Sequence, residues 1–368
     1  MIIHQVTLHQ IQMRMKTPFT NSLTTVTDRE LILVEVEDES GRIGWGECSA
    51  FSSPWYTEET IGTAWHVMED FLIPRLLHTS LHHPRDVAER FQPIRRHPMA
   101  KAAIEGAVWD VWCKAEGIPL ARALGGTRER IASGVAVGAG DLGVMVETIR
   151  CRVEQGYCRV KVKVKPGADI KVLKRIRLEF PDLPLMADAN SAYTLEDVDH
   201  LKQLDDFSLM MLEQPLAADD IVDHARLQAE LSTPICLDES LHSAADVRRA
   251  LELGSCRVVN VKPARVGGLS EAKRIHDLCL DRGIPLWCGG MLETGVGRAH
   301  SIALASLDGF TLPGDISASN RYWHQDVIEP EITLEEGSIK VPWDRPGIGF
   351  EVDRHRLQEV RVKKKVYT

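Results

Sequence analysis

No stretch of this chain is apolar for long enough to cross a bilayer, which takes about 20 such residues. That absence excludes a helical membrane anchor. Positive charge is also in deficit: 44 lysines and arginines stand against 53 aspartates and glutamates, for a formal net charge of -9. An acidic surface argues against a nucleic-acid or anionic-membrane partner. The eight cysteines include no C-x-x-C pair. Without one, the usual zinc and dithiol signatures are missing, and the expectation is no disulfides and a reducing cytoplasm. The opening residues, Met1-Ile2-Ile3-His4-Gln5-Val6, have neither the basic start nor the apolar core of a signal peptide. A Walker sequence and a G-x-S-x-G nucleophile elbow are missing as well. What remains, 44% hydrophobic and 26% charged, is the composition of an ordinary globular protein.

The organised part of the chain lies between Lys161 and Lys262. Five short apolar runs each end in charge, at Lys163, Asp188, Glu213, Asp238 and Lys262, with successive spacings of 25, 25, 25 and 24 residues. That period suits one strand, one helix and two short loops, and strands alternating with helices imply a parallel sheet. In a closed β/α barrel the C-terminal strand ends share one mouth, where barrel enzymes do their chemistry. The spacing therefore places lysines around three carboxylates.

Before this stretch, residues 1–15, 31–37 and 42–47 read as an antiparallel meander turned at Asp38-Glu39-Ser40-Gly41. Two irregular pieces interrupt it, residues 17–28 and 49–56, the second carrying Phe51, Trp55 and Tyr56. By composition alone both are surface loops. Residues 57–72 have a helical pattern stopping before Pro74. Residues 98–115 open on Pro98 and place Ala103, Ala107 and Val111 on one face. Gly125-Gly126 marks a boundary between an α+β unit, 1–125, and a barrel, 126–319. The barrel rhythm begins at residues 132–137, continues through 284–288 and fades at 310–312. The tail, 320–368, is expected to pack back on the first unit.

Gly138-Ala139-Gly140-Asp141-Leu142-Gly143 matches a dinucleotide fingerprint, but Lys161, Lys163 and Lys165 stand where an acid should bind ribose. We read it as a glycine-rich barrel loop. Thr194 and Asp197 read as a helix capping box. Asp188, Glu213 and Asp238 are the strong signal. Crowded carboxylates stay ionised only beside a cation, and an oxygen-only set selects a hard ion, best Mg²⁺ with Mn²⁺ able to substitute. Lys161, Lys163 and Lys165 share one strand face, with Val160, Val162 and Val164 on the other. A lysine beside a divalent cation would have a depressed pKa, which suits a general base. Lys262 would approach from the opposite side. Two lysines across a bound carboxylate suit proton transfer at an α-carbon, with metal charge stabilising the enediolate.

These motifs resemble an established family. Lys161-Val162-Lys163, Ala187-Asp188-Ala189-Asn190-Ser191, Leu212-Glu213-Gln214-Pro215, Leu237-Asp238-Glu239-Ser240, Asn260-Val261-Lys262-Pro263 and Gly289-Gly290-Met291-Leu292-Glu293 are similar to enolase-superfamily proteins of the muconate-lactonising subgroup. Within it, the resemblance is to the o-succinylbenzoate synthase/N-acylamino-acid racemase family. It implies a (β/α)7β barrel under an α+β N-terminal capping domain completed by the C-terminal tail. The two irregular pieces become lids, with Phe19 against substrate. Lys163 resembles the family's base, Lys262 the lysine opposite it, and Asp188, Glu213 and Asp238 the Mg²⁺ ligands. Lys161, Asn190, Gly290, Met291 and Ser317 would face the substrate. Arg265 resembles a feature of the racemising members. Ala136 departs from the pattern, standing where similar proteins carry serine. The implied substrate is a small carboxylate, handled by a homo-oligomeric cytoplasmic enzyme. The implied reaction is syn-dehydration of a cyclohexadiene carboxylate towards menaquinone, with N-succinylamino-acid racemisation the alternative. A non-catalytic metal-binding barrel is the reading from another class; it leaves two lysines without a purpose.

Overall fold

The computed structural model describes residues 1–20 and 24–368. Strand β1 (Ile3–Thr20) and β2 (Thr25–Asp38) form a long antiparallel hairpin, and β3 (Ile43–Cys48) pairs with β2. Of residues 17–28, expected as an irregular loop, 17–20 and 25–28 continue this hairpin as an arm. Phe19 pairs with Val26 and Thr20 with Thr25, after a register slip between Arg14 and Phe19. The reason is local: Thr20, Thr25, Val26 and Thr27 are β-branched and favour extended backbone. Residues 21–23 of that expected lid lie outside the described residues.

A helical segment follows at residues 61–76. It begins as α1 (Ile61–Val67), capped by Thr60 rather than starting at residue 57. It also runs past the expected stop, because a π turn (Met68–Leu72) widens it just before Pro74, whose ring removes a donor. Helix α2 (Pro98–Glu116) lies across β2 and β3. The approach is close enough to dictate sequence. A Cβ at Gly44 would fall 2.2 Å from the Ala107 carbonyl, and one at Gly46 1.9 Å from that of Ala103.

The second unit is a seven-stranded parallel half-barrel in simple order. Its strands are β5 (Gly134–Val137), β6 (Arg159–Lys163), β7 (Leu185–Asp188), β8 (Leu212–Glu213), β9 (Ile235–Leu237), β10 (Val258–Val261) and β11 (Leu286–Cys288). The expected first strand is split at Ser133, leaving β4 (Arg130–Ala132) apart. Helix α3 (Leu142–Glu154) follows β5, and Asp141 accepts from Gly143 and Val144 at its start. That N-terminus is already capped, as a barrel loop rather than a phosphate cradle requires. The Thr194–Asp197 capping box is present. The eighth position is filled by irregular backbone slightly later than residues 310–312. Leu312 and Asp315 donate to the Leu286 and Cys288 carbonyls, and Gly134 donates to that of Gly314. After it, the tail strand β12 (Arg361–Tyr367) pairs antiparallel with β1 and completes the capping sheet. All eight cysteines are free. Among the described residues, no helix is long and apolar enough to cross a membrane.

Buried glutamates of the cap plug the N-termini of barrel helices. Glu47 accepts from the Thr294 and Gly297 amides, and Glu105 from those of Leu269 (2.6 Å) and Ser270 (3.1 Å). Burial pushes Glu105 up to about 6 and Glu47 up to about 7. We predict that Glu105→Ala, which leaves two buried amides without acceptors, costs about 2 kcal/mol in thermal or urea unfolding. An unchanged midpoint would show that this cap contributes nothing to docking.

Candidate active site

The strand ends bring the charged residues together because the sheet is in register. Lys163 pairs with Asp188 across β6 and β7, and Asp188 with Glu213 across β7 and β8. Val160 and Val162 are fully buried, which turns Lys161 and Lys163 towards the mouth. Lys163 Nζ donates to Asp188 Oδ2 at 2.6 Å and to Asn190 Oδ1 at 2.7 Å, with the Phe19 ring centroid 5.9 Å away. Lys161 sits deeper. Its Nζ is 2.6 Å from Asp315, 3.0 Å from Glu213 and 3.3 Å from Asp188, above the indole of Trp287. Burial alone would lower its pKa, but these three acids raise it well above the ordinary value. These contacts hold Lys161 as a buried cation among the acids. Lys165 is exposed beyond the strand end.

Lys262 enters from the far side, with β7, β8 and β9 between its strand and β6. Its Nζ donates to Asp238 Oδ2 at 2.6 Å and to the Tyr56 hydroxyl at 2.9 Å. Tyr56 in turn donates to Asp238 Oδ1 at 3.1 Å. Burial works against the ammonium, yet Asp238 outweighs it and holds Lys262 above the usual lysine range. Arg265 is completely buried; it pairs with Asp238 and donates to the Leu241 and Asn260 carbonyls.

The two aspartates and the glutamate differ in electrostatics. Asp188 is held below the carboxylate range by Lys163 and Lys161 against the effect of burial, and Asp238 likewise by Lys262 and Arg265. Glu213 is pushed up to about 8 by burial and by Asp188, although Asn260 donates to it at 2.8 Å.

Phe19 from the arm and Phe51, Trp55 and Tyr56 from the cap line one side of a partly open cavity. Lys161, Lys163, Asn190, Gly290, Met291 and Ala136 lie on the barrel side. Ser317 is buried and lies outside this lining. Sequence reasoning passed over Tyr56, Glu239 and Asp315 as site residues. Glu239, next to Asp238, accepts from Asn190 at 3.2 Å. Its place inside a quoted motif was the available signal. Asp315 follows the weakest strand of the barrel, where no period pointed to it.

Comparison with known proteins fits this geometry. Residues 3–125 match the mandelate racemase/muconate lactonizing enzyme N-terminal domain, and residues 144–356 match the enolase C-terminal domain-like family. The chain belongs to the mandelate racemase/muconate lactonizing enzyme branch of the enolase superfamily. Similar family members include an o-succinylbenzoate synthase of Geobacillus stearothermophilus, 57% identical over 99% of this chain and 97% of that one. An N-succinylamino acid racemase of Thermus thermophilus is 46% identical over 96% of this chain and 95% of its own. The crystal structure of an enolase-superfamily protein from Listeria innocua superposes with a TM-score of 0.96 at 42% identity, covering 100% of this chain and 99% of that one.

Enzymes of the superfamily use Mg²⁺ in general. Among the described residues, no three His, Cys, Asp or Glu side chains form a closed metal cage; each acid is instead turned onto a lysine or arginine. The donor set nevertheless fits such an ion. Asp188, Glu213 and Asp238 are oxygen donors at consecutive strand ends, the ligand type Mg²⁺ takes. Beside them, Glu239 Oε2 and Asn260 Oδ1 are buried acceptors without hydrogen-bond partners among the described residues.

Proposed function

We propose that this enzyme is an o-succinylbenzoate synthase, converting 2-succinyl-6-hydroxy-2,4-cyclohexadiene-1-carboxylate to an aromatic product with loss of water. The observation that carries the chemistry is the placement of Lys163 and Lys262 on opposite sides of one cavity, each hydrogen-bonded to a different aspartate. The sequence identity to synthases carries the choice of reaction. Asp188, Glu213 and Asp238 would hold Mg²⁺, which when bound supplies positive charge for the substrate carboxylate.

The remaining steps belong to the protein. Lys163, held by Asn190, removes the proton at the carboxylate-bearing carbon. The electron pair left behind expels the neighbouring hydroxyl, and Lys163 returns its proton to that oxygen, so water leaves and the ring becomes aromatic. One lysine on one face serves both transfers, which is why the elimination is syn. Lys262 stays protonated, and its charge steadies the electron-rich intermediate from the other face. Phe19, Phe51 and Trp55 wall the apolar ring and keep out water. We place the functional division at residue 125, with 126–319 as the catalytic barrel and 320–368 returning to the cap.

A racemase activity on N-succinylamino acids in the same site is the second reading. Arg265, buried against Asp238 beside Lys262, favours it, since racemisation needs a working lysine on each face. Ala136 lines the cavity with a methyl group and offers no hydroxyl to an N-acyl substrate.

The test is the product. Incubated with Mg²⁺ and the cyclohexadiene substrate, the protein should produce aromatic proton resonances by NMR; an unchanged diene spectrum would refute the assignment. Tyr56 supplies a finer prediction. Tyr56→Phe removes the hydroxyl joining Lys262 to Asp238, and kcat should fall about tenfold, the worth of one buried hydrogen bond. A kcat equal to wild type would mean that Asp238 alone positions Lys262.

A further inference from the structure

We propose that a second cleft, between the base of the β1–β2 arm, the last turn of α3 and the segment after the barrel closes, binds a small oxyanion. Arg152, Arg321 and Lys16 would hold a phosphate or carboxylate group there. The cleft is open, about 990 Å³, and lined by these cations with Gln155, Tyr157 and Asn320 but by no acidic side chain.

In a chain with an excess of acids, three clustered cations without a carboxylate partner need a reason. Among the described residues, Arg152, Arg321 and Lys16 form no ion pair, whereas neighbouring Arg150 pairs with Glu147 and Glu179. Both arginines are half-buried, and the Nε of each is buried without a hydrogen-bond partner. Each guanidinium has five N–H donors in a planar fork. Arg152 donates to Gln155 Oε1 at 2.7 Å, and Arg321 to the Ala136 carbonyl at 3.4 Å. Most of this donor capacity remains open. Burial and the Arg321 charge both lower the Arg152 pKa, so the two repel at close range. An oxyanion would offset that repulsion and accept from both forks, the geometry at which arginine excels.

The location gives the site a consequence. Lys16 lies where the hairpin slips register, and its backbone amide donates to the Tyr322 carbonyl at 2.8 Å. Phe19, three residues on, faces Lys163; Ala136 and Tyr322 line the active cavity. A bound anion would tie the base of the arm to the barrel beside that cavity. The site does not depend on which reaction the enzyme catalyses.

Two sources share this chemistry: a free anion, or the outlying carboxylate of a ligand seated in the active cavity. Calorimetric titration of the full chain in chloride buffer, with inorganic phosphate and separately with succinate, should show one saturable site. Affinity should fall at least about tenfold in Arg152→Gln and Arg321→Gln. It should also fall in Lys16→Gln, whose exposed position leaves folding intact, and should persist in Lys163→Ala. If phosphate then raises KM for the substrate, the site takes the ligand's own carboxylate; an unchanged KM assigns it to a free anion. Absence of saturable heat with either probe overturns the proposal. So does wild-type affinity in Lys16→Gln and in whichever arginine variant folds, or loss of binding in Lys163→Ala.

Discussion

Lys163→Ala should lower kcat/KM for the dehydration by about 10³-fold or more, with KM little changed. General acid–base catalysis by one positioned group contributes roughly 10²–10⁴-fold, and here one amine serves in both proton transfers. Its position supports this magnitude: Nζ lies 2.6 Å from Asp188 and 2.7 Å from Asn190, at the cavity wall, with the side chain mostly buried. Lys262→Ala should act differently. It removes a charge and leaves the base in place, so dehydration should fall by roughly 10²–10³-fold, the range for loss of one electrostatic stabiliser. Any racemisation of N-succinylamino acids should disappear in both variants, because it needs a lysine on each face. The comparison is read as transition-state free energies from steady-state kinetics. A Lys163→Ala enzyme that keeps a tenth of its activity would remove Lys163 from the role of base.

Chelation should have an effect as large. With excess chelator, turnover should fall by about 10³-fold or more, because losing several kcal/mol of charge stabilisation at the carboxylate costs a decade per about 1.4 kcal/mol. Added Mg²⁺ should restore it. Among single substitutions, Glu213→Gln is the cleaner probe. Burial and the neighbouring Asp188 push the Glu213 carboxyl up, so a neutral amide there disturbs the metal-free fold less than loss of the Asp238 charge would. Asp238→Asn would confound the result. Asp238 is ion-paired with Lys262 and Arg265, all three buried, and removing its charge strands two buried cations. A loss of about 3–5 kcal/mol in stability is expected there in addition to the loss of turnover. Glu213→Gln should therefore melt within a few degrees of wild type while losing Mg²⁺-dependent activity. Full turnover in that variant, or in excess chelator, would rule out a metal held by these acids.

The parallel barrel was legible because its period is carried by charge. Each strand is a short apolar run stopped by an ionic residue, and in-register pairing converts equal spacing in sequence into adjacency in space. The same logic placed Lys163, Asp188 and Glu213 side by side and Lys262 across from them. Features set by tertiary packing escaped it. The arm formed by residues 17–20 and 25–28 looked like a loop because its polar threonines hide their β-branching. The helix over residues 61–76 passes Pro74 by way of a π turn, which no periodicity announces. Tyr56 reaches Asp238 from the cap, 182 residues away in sequence, and carries no mark distinguishing it from Trp55. By alternation Lys161 shares a strand face with Lys163 and Lys165 and is expected to face the substrate, but the chain buries it among Asp188, Glu213 and Asp315, which raise its pKa.

We propose a site that takes a proton from a carbon beside a carboxylate and completes a dehydration. Its most direct test is a pair of kcat/KM values measured on the purified protein with Mg²⁺, for the cyclohexadiene carboxylate and for N-succinylamino acids. Efficient formation of the aromatic product is expected, with any racemisation a lesser activity of the same site. Rapid turnover of N-succinylamino acids with the cyclohexadiene left untouched would contradict it and make the racemase reading the correct one.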